Sequence, residues 1–133
     1  NPVWDAKATI AWDGSSELKF SVWDSNNFAE DKWIGQCVLD KRGIRSNFKG
    51  PKALSTGKTY RKSQGSARVP MICIEAKVLG AMTPIQLNIV NAKDLPNMDW
   101  LDLSDPYVKV TMSGTEVMRT KVVDNNLNPV WDA

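Results

Sequence analysis

Short runs of alternating apolar and polar residues dominate the chain. Residues 85–90, 107–112 and 18–23 alternate regularly, as expected for strands that bury one face. Gly, Pro, Asn and Asp residues bound these runs, which favours short strands joined by turns. Further strands are predicted at residues 3–12, 33–39, 58–63, 69–78 and 117–123, with residues 40–56 irregular apart from one short helical turn. Eight short strands predict an all-β antiparallel sandwich.

A repeated segment bears on the order of these strands. The sequence Asn-Pro-Val-Trp-Asp-Ala occupies both residues 1–6 and residues 128–133, at an offset of 127 residues. This spacing is about the size of one domain. The chain is therefore either a window through a tandem array or a single domain, residues 1–133, whose motifs must be read circularly.

Residues 80–82, Gly-Ala-Met, favour the circular interpretation. This tripeptide resembles the remnant of a cleaved tag followed by a start Met, which is excluded from fold reasoning. On that interpretation the natural order is residues 83–133 followed by residues 1–79. A natural Gly-Ala turn at the same place is the alternative.

Composition removes several classes of function. The chain contains no histidine, which excludes Ser/His and Cys/His nucleophiles and histidine-containing zinc sites, and no enzymatic activity is expected. Cys37 and Cys73 lie in apolar runs, which predicts buried free thiols and is compatible with a cytoplasmic protein. Since no apolar run approaches the ~20 residues that span a bilayer, any membrane contact is expected to be peripheral.

Charge is unevenly distributed along the chain. Residues 41–68 hold nine basic and no acidic side chains, whereas the rest hold eight basic and fifteen acidic ones. Two fields of opposite sign on one small domain indicate two kinds of partner. The basic stretch, residues 41–68, docks a protein, adds attraction to an anionic membrane surface or is a solvated loop, and no nucleic-acid partner is expected.

Two polar loops carry clustered carboxylates. Asp99, Asp102 and Asp105 lie in the loop at residues 93–106, and the loop at residues 24–32 is also acidic. Carboxylates gathered without basic partners repel one another, and a cation relieves that repulsion. Oxygen ligands in flexible loops suit Ca²⁺, although neither loop has EF-hand spacing. Ordinary acidic turns are the alternative.

Three motifs resemble a known family. The first motif, residues 95–110, contains Leu-Pro, an aspartate and then Ser-Asp-Pro-Tyr-Val-Lys-Val. The second, residues 127–132, reads Leu-Asn-Pro-Val-Trp-Asp. The third has two parts, Val-Trp-Asp-Ser-Asn at residues 22–26 and Trp-Ile-Gly at residues 33–35. Read circularly, these motifs are similar to the three top loops of the C2 domain, the membrane-targeting module of synaptotagmins and protein kinase C. The resemblance implies an eight-stranded antiparallel Greek-key sandwich of the family's second topology.

The resemblance also implies calcium ligands. Asp99 and Asp105 match the calcium aspartates of the first loop, and Asp24 matches the first aspartate of the third loop. Asn26 replaces a second aspartate and still offers a neutral oxygen.

Two further positions of the third loop depart from the family pattern. Lys32 stands where a third aspartate is common, and the adjacent Asp31 is the candidate to substitute for it. Fewer anionic ligands lower calcium affinity, so one weakly bound ion or none is expected.

Two sets of residues are candidates for lipid contact. The first is a wedge of apolar side chains at the loop tips, which either enters the headgroup region or folds back onto the core. The second is a basic and aromatic surface that the family uses for phosphoinositides, since alternate positions of a strand face the same side. The wedge comprises Trp100, Leu101, Leu103 and Phe28, and the surface comprises Tyr107, Lys109, Arg119, Lys121 and Trp23.

These features predict a peripheral module that binds anionic phospholipids or phosphoinositides, with calcium assisting weakly. The alternative is a calcium-independent C2 module that binds a protein. The repeated segment further predicts self-association, because a spare strand start can pair with a neighbouring molecule.

Overall fold

The computed structural model describes residues 6–27, 29–56, 69–80, 84–97 and 103–131. Within these ranges, nine strands form two antiparallel sheets, and the all-β prediction is confirmed. The strand order is β1-β7-β6-β4 in a four-stranded sheet and β5-β3-β2-β8-β9 in a five-stranded sheet. The strands are β1 (Lys7–Ala11), β2 (Leu18–Asp24), β3 (Lys32–Leu39), β4 (Lys49–Ala53), β5 (Ser55–Thr56), β6 (Met71–Val78), β7 (Pro84–Lys93), β8 (Pro106–Met112) and β9 (Thr115–Arg119), with one helix, α1 (Lys41–Arg45), between β3 and β4.

The core lies between the two sheets and follows the alternation in the sequence. Phe20 and Val22 of β2 are fully buried, as are Leu87 and Ile89 of β7. Burial of such side chains stabilises the fold by about 1.5–3 kcal/mol each. The intervening residues of each strand therefore face outward, and they form the outer faces of the sandwich.

The region at residues 40–56 is more regular than its sequence predicts. The Asp40 side chain accepts a hydrogen bond from the backbone N–H of Gly43 at 2.8 Å, which caps α1, and Ile44 anchors the helix in the core. The strand β4 contains Gly50 and Pro51 and has no apolar alternation. It forms because it pairs with β6 at the sheet edge, where proline is tolerated.

Other boundaries shift by a few residues. The hairpin predicted around residues 113–115 is present, and Ser113 and Gly114 both have positive φ, as a two-residue turn between twisted strands requires. The following strand, predicted at residues 117–123, is β9 and ends at Arg119. The strand predicted at residues 58–63 lies outside the described residues.

The second copy of the repeated segment lies against β7. The backbone N–H of Trp131 donates to the Val90 carbonyl at 2.8 Å, and that of Ile89 donates to the Ala6 carbonyl at 2.8 Å. Ala6 and Trp131 therefore lie beside neighbouring residues of β7. The circular order stays a prediction, and residues 1–5, 81–82 and 132–133 lie outside the described ranges.

No helix in the described ranges is long and apolar enough to cross a bilayer.

Candidate functional site

The two acidic loops meet at one end of the sandwich. Asp24 ends β2 and is only 1% exposed. Its Oδ1 accepts a hydrogen bond from the backbone N–H of Asp105 at 2.8 Å, and the Asp105 carbonyl accepts one from Ser25 at 2.9 Å. Two carboxylates separated by 81 residues are thereby held together.

The third polar turn, at residues 124–128, joins the same end. Asp105 Oδ1 accepts a hydrogen bond from the backbone N–H of Asn125 at 2.7 Å. The N–H of Asn126 donates to the Ser104 carbonyl at 3.0 Å. All three predicted top loops therefore converge around Asp105, and the residue types there offer hard oxygen donors.

Asp31 is held by neighbouring protein groups. Its Oδ1 accepts from the backbone N–H of Asn26 at 2.9 Å, and its Oδ2 accepts from the Tyr107 hydroxyl. Lys32 is exposed and lies opposite Asp24 in the register of β2 and β3. Asp31 thus braces the third loop against the five-stranded sheet.

The donor set partly suits calcium. Asp24 and Asp105 supply two carboxylates and the neighbouring Asn26 is an amide, all of the hard-oxygen type that Ca²⁺ prefers. No group of three or more Asp, Glu, His or Cys side chains arranged to hold a metal occurs within the described ranges. Asp99 and Asp102 lie outside those ranges, so the first loop's share of the predicted site is not described.

Tyr107 connects the acidic end to the outer face of the five-stranded sheet. Its ring is largely buried and lies opposite Trp23 in the register of β2 and β8. Burial and then the hydrogen bond to Asp31 raise the pKa of the Tyr107 hydroxyl above its usual range. The hydroxyl therefore remains a hydrogen-bond donor.

Basic side chains cover this aromatic pair. Lys109 Nζ lies 4.6 Å from the centre of the Trp23 ring and 5.9 Å from that of Tyr107. The Arg119 guanidinium lies 5.7 Å from the Tyr107 ring centre. Such cation–π contacts are worth about 0.5–1 kcal/mol at exposed sites. They hold the two cations at fixed places on the sheet face.

Glu116 was not anticipated from the sequence. It accepts hydrogen bonds from Arg119 Nε at 2.7 Å and Nη2 at 2.6 Å, and this pairing raises the pKa of Arg119. The spacing of Glu116 and Arg119 did not reveal the contact, because a regular strand would place them on opposite faces. The pairing of β8 with β9 shifts register between Val110 and Thr111, so β9 is not a regular strand between Glu116 and Arg119.

Two further exposed lysines lie on or next to strands of the five-stranded sheet. Lys121 is exposed and follows β9, and its carbonyl accepts a hydrogen bond from Trp131 Nε1 at 3.0 Å. Lys19 is exposed on β2, opposite Thr111 of β8, and was also missed. The strict alternation of residues 18–23 places Lys19 on the Trp23 face, so that signal was available.

The predicted wedge is only partly described. Leu103, at the end of the first loop, is 42% exposed, so this member of the predicted wedge lies at the surface. Trp100, Leu101 and Phe28 lie outside the described residues.

Comparison with known proteins identifies a family. The model of the C2 domain family matches residues 1–55 and 84–133. These two segments carry the three converging loops and seven of the nine described strands in full. No solved structure matches the chain.

Individual relatives agree with this match. The chain is 30% identical to synaptotagmin-1 of Aplysia californica over 145 residues, covering 99% of the chain and 33% of that protein. It is 30% identical to synaptotagmin-C of Diplobatis ommata over 120 residues, covering 87% of the chain and 22% of that protein. It is 34% identical over 68 residues to a calcium-dependent lipid-binding protein of Arabidopsis thaliana, covering 51% of the chain and 13% of that protein. The chain thus spans a third or less of the length of these relatives.

Proposed function

The chain belongs to the C2 domain family, and we propose that it is a non-enzymatic module that binds the surface of anionic membranes. The observation that carries this proposal is the ordered stack of Lys109 on Trp23 and Arg119 on Tyr107. It lies on the outer face of the five-stranded sheet, where a flat membrane can approach. The relative named as a calcium-dependent lipid-binding protein supports the same activity here.

Phosphoinositide headgroups are the proposed specific ligands of this face. Lys109 and Lys121 supply charges for phosphate, and the lysines contribute about 1 kcal/mol each near an anionic surface. Arg119 is already paired with the Glu116 carboxylate, so its proposed role is to hold the Tyr107 ring rather than to attract phosphate. Lys19 extends the positive surface across β2.

Calcium is proposed to strengthen membrane attachment. Asp24 and Asp105, with Asp99 of the first loop, would hold the ion. A bound cation would offset the carboxylate charge that otherwise repels an anionic leaflet. Both carboxylate oxygens of Asp31 already accept hydrogen bonds, from Asn26 and from Tyr107. This supports a small number of calcium ligands and therefore a weak affinity for calcium.

Insertion of the loop tips is proposed to add to this attraction. The exposed Leu103 supports an apolar wedge that also includes Trp100, Leu101 and Phe28. Both described cysteines are free, which supports a cytoplasmic setting for the membrane surface concerned.

A calcium-independent protein-binding module is the second candidate. Two observations favour it: both oxygens of Asp31 are engaged by the protein, and the basic stretch 41–68 contains exposed cations on α1 and β4, among them Lys41, Arg42 and Lys49. On this alternative the acidic loops serve only to hold the end of the sandwich together.

Co-sedimentation with phosphatidylserine vesicles, in millimolar Ca²⁺ and in chelator, separates the two candidates. The Asp24→Asn variant keeps the oxygen that accepts the Asp105 N–H but removes one ligand charge, whereas Asp13→Asn makes the same change at an exposed turn. We expect Ca²⁺ to increase pelleting of the wild type and of Asp13→Asn, but not of Asp24→Asn. Equal pelleting with Ca²⁺ and chelator would contradict the calcium proposal, and no pelleting with any anionic vesicle would contradict the membrane proposal.

A further inference from the structure

A polar groove lies on the other side of the sandwich, on the outer face of the four-stranded sheet. One row of paired residues crosses all four strands there: Lys7 on β1, Asn88 on β7, Glu75 on β6 and Lys49 on β4. Since neighbouring strands lie about 4.8 Å apart, the two lysines at the ends of this row are separated by the width of the sheet.

The groove is large enough for a small ligand. Its volume is about 310 Å³, at the lower end of the range of ligand pockets. Lys77, two residues beyond Glu75 on β6, lines it from a third side, and Phe48 borders it next to β4. Lysines on three different strands therefore surround one concave space.

Asn88 occupies the floor of this groove in the middle of the sheet. Asparagine is disfavoured in strands, yet Asn88 is only 6% exposed. Its Nδ2 donates to Glu75 at 3.0 Å. A polar amide at the centre of a sheet face, in a groove that three lysines also line, is better suited to a polar ligand than to packing.

The charge of the groove is positive. Among the described residues, Glu75 is the single carboxylate that lines the groove, and Lys49 Nζ lies 3.4 Å from Glu75 Oε1. Asn88 and Lys49 thus both compensate the carboxylate, and Lys7 and Lys77 add two further positive charges on opposite sides. An anion in the groove would form charge-assisted hydrogen bonds, which are the stronger kind.

We propose that this groove binds a small anion that carries several phosphate groups, of the inositol polyphosphate class. A single phosphate cannot reach lysines on three strands at once, whereas phosphates distributed around a ring can. The two sheets pack face to face, so this site points away from the Lys109 and Trp23 surface. The site is therefore additional to the proposed membrane-binding face and does not depend on it.

Calorimetric titration with myo-inositol hexakisphosphate at low salt tests the proposal. The double variant Lys7→Gln/Lys77→Gln removes two groove charges and leaves the Glu75 and Lys49 pair intact. Lys93→Gln is the control on the same sheet, since Lys93 is exposed at the far end of β7. Thermal unfolding of each variant checks that the fold is retained.

We expect the groove variant to bind hexakisphosphate about tenfold or more weakly, as the loss of two charge-assisted contacts implies, and Lys93→Gln to bind like wild type. No binding by the wild type, or equal binding by the wild type and the groove variant, would overturn the proposal.

Vesicles containing phosphatidylinositol bisphosphate distinguish the source of the phosphates. If the groove variant weakens binding of free hexakisphosphate but not of vesicles, the groove takes a soluble ligand. If it weakens both, the groove also admits a lipid headgroup. Vesicle binding that fails while hexakisphosphate binding persists would contradict the membrane function and leave the groove proposal supported.

Discussion

At the residue scale, the contact between Asp31 and Tyr107 ties the third loop to the basic sheet face. We predict that Tyr107→Phe lowers the free energy of unfolding by about 1–3 kcal/mol, because a buried hydrogen bond to a carboxylate is lost while the ring is kept. Denaturant unfolding monitored by tryptophan fluorescence measures this change. An unfolding midpoint equal to that of the wild type would contradict the bracing role of Asp31.

Asp13 gives a prediction about pH. Hydrogen bonds from the Ser16 hydroxyl and from the backbone N–H groups of Ser16 and Ser15 lower its pKa from 3.8 to about 2. Because the folded-state pKa lies below the unfolded value, this stabilisation is complete above the unfolded pKa and is lost as pH falls through the folded one. Stability should therefore fall between about pH 4 and pH 2 through this turn.

The Asp13→Asn variant isolates that contribution. An amide at this position does not titrate, so thermal unfolding of the variant should depend less steeply on pH in the same range than that of the wild type. Parallel curves for the two proteins would show that the turn does not contribute.

The sequence predicts some residue contacts better than others. The approach of Asp24 to Asp105 follows once the motifs are read circularly, because Asp24 then ends one strand and Asp105 directly precedes another at the same edge. The contact of Asp31 with Tyr107 does not follow, because β2 and β3 shift register between Val22 and Trp23. That irregularity has no signature in the alternation of polar and apolar residues.

At the element scale, Gly35 permits β5 to pair with β3. A Cβ atom at this position would lie 2.9 Å from the Ser55 carbonyl oxygen and 3.3 Å from Thr56 Cγ2, so backbone would have to move. We predict that Gly35→Ala destabilises the fold by about 1–3 kcal/mol, as overpacked sites do. Thermal unfolding measures the effect.

Ser55→Ala is the matched control for this element, since it alters the same strand pair without adding bulk beside β3. It should unfold close to the wild type. If Gly35→Ala is as stable as this control, the close pairing of β3 and β5 does not restrict position 35.

Element prediction succeeded where local sequence determines the element. The hairpin between β8 and β9 follows from Ser113 and Gly114, which adopt the backbone conformations of a two-residue turn. Strands β4 and β5 were missed because their sequences contain glycine, proline and polar residues. These segments become strands only because β6 and β3 offer edges for pairing, which is information carried by distant residues.

At the scale of the whole molecule, one segment occurs twice in the sequence, and its second copy lies against β7. Residues 129–131 fill the position beside Ala6, and an identical Pro-Val-Trp segment is present at residues 2–4. Because an exchange between molecules would replace contacts by identical ones, it would cost mainly the entropy of association. We predict that the chain self-associates as its concentration rises. The first copy is linked to the same chain and competes at an effective concentration in about the millimolar range, so self-association should become extensive as the protein concentration approaches that range.

Analytical ultracentrifugation compares the chain with a variant that lacks residues 1–5. The full chain should show a growing fraction of dimers or larger species as concentration rises, and the shortened chain should remain monomeric. A monomeric full chain at every concentration would contradict the prediction.

The central claim is that the five-stranded sheet presents a membrane-binding face. The measurement that tests it most directly is the binding of vesicles containing phosphatidylserine and phosphatidylinositol bisphosphate by Lys109→Gln/Lys121→Gln. The control, Lys93→Gln/Lys41→Gln, makes the same change in net charge elsewhere on the surface. At about 1 kcal/mol for each basic residue near the membrane, we predict about tenfold or greater loss for the first variant and near wild-type binding for the control. Equal binding by the two variants would contradict the claim.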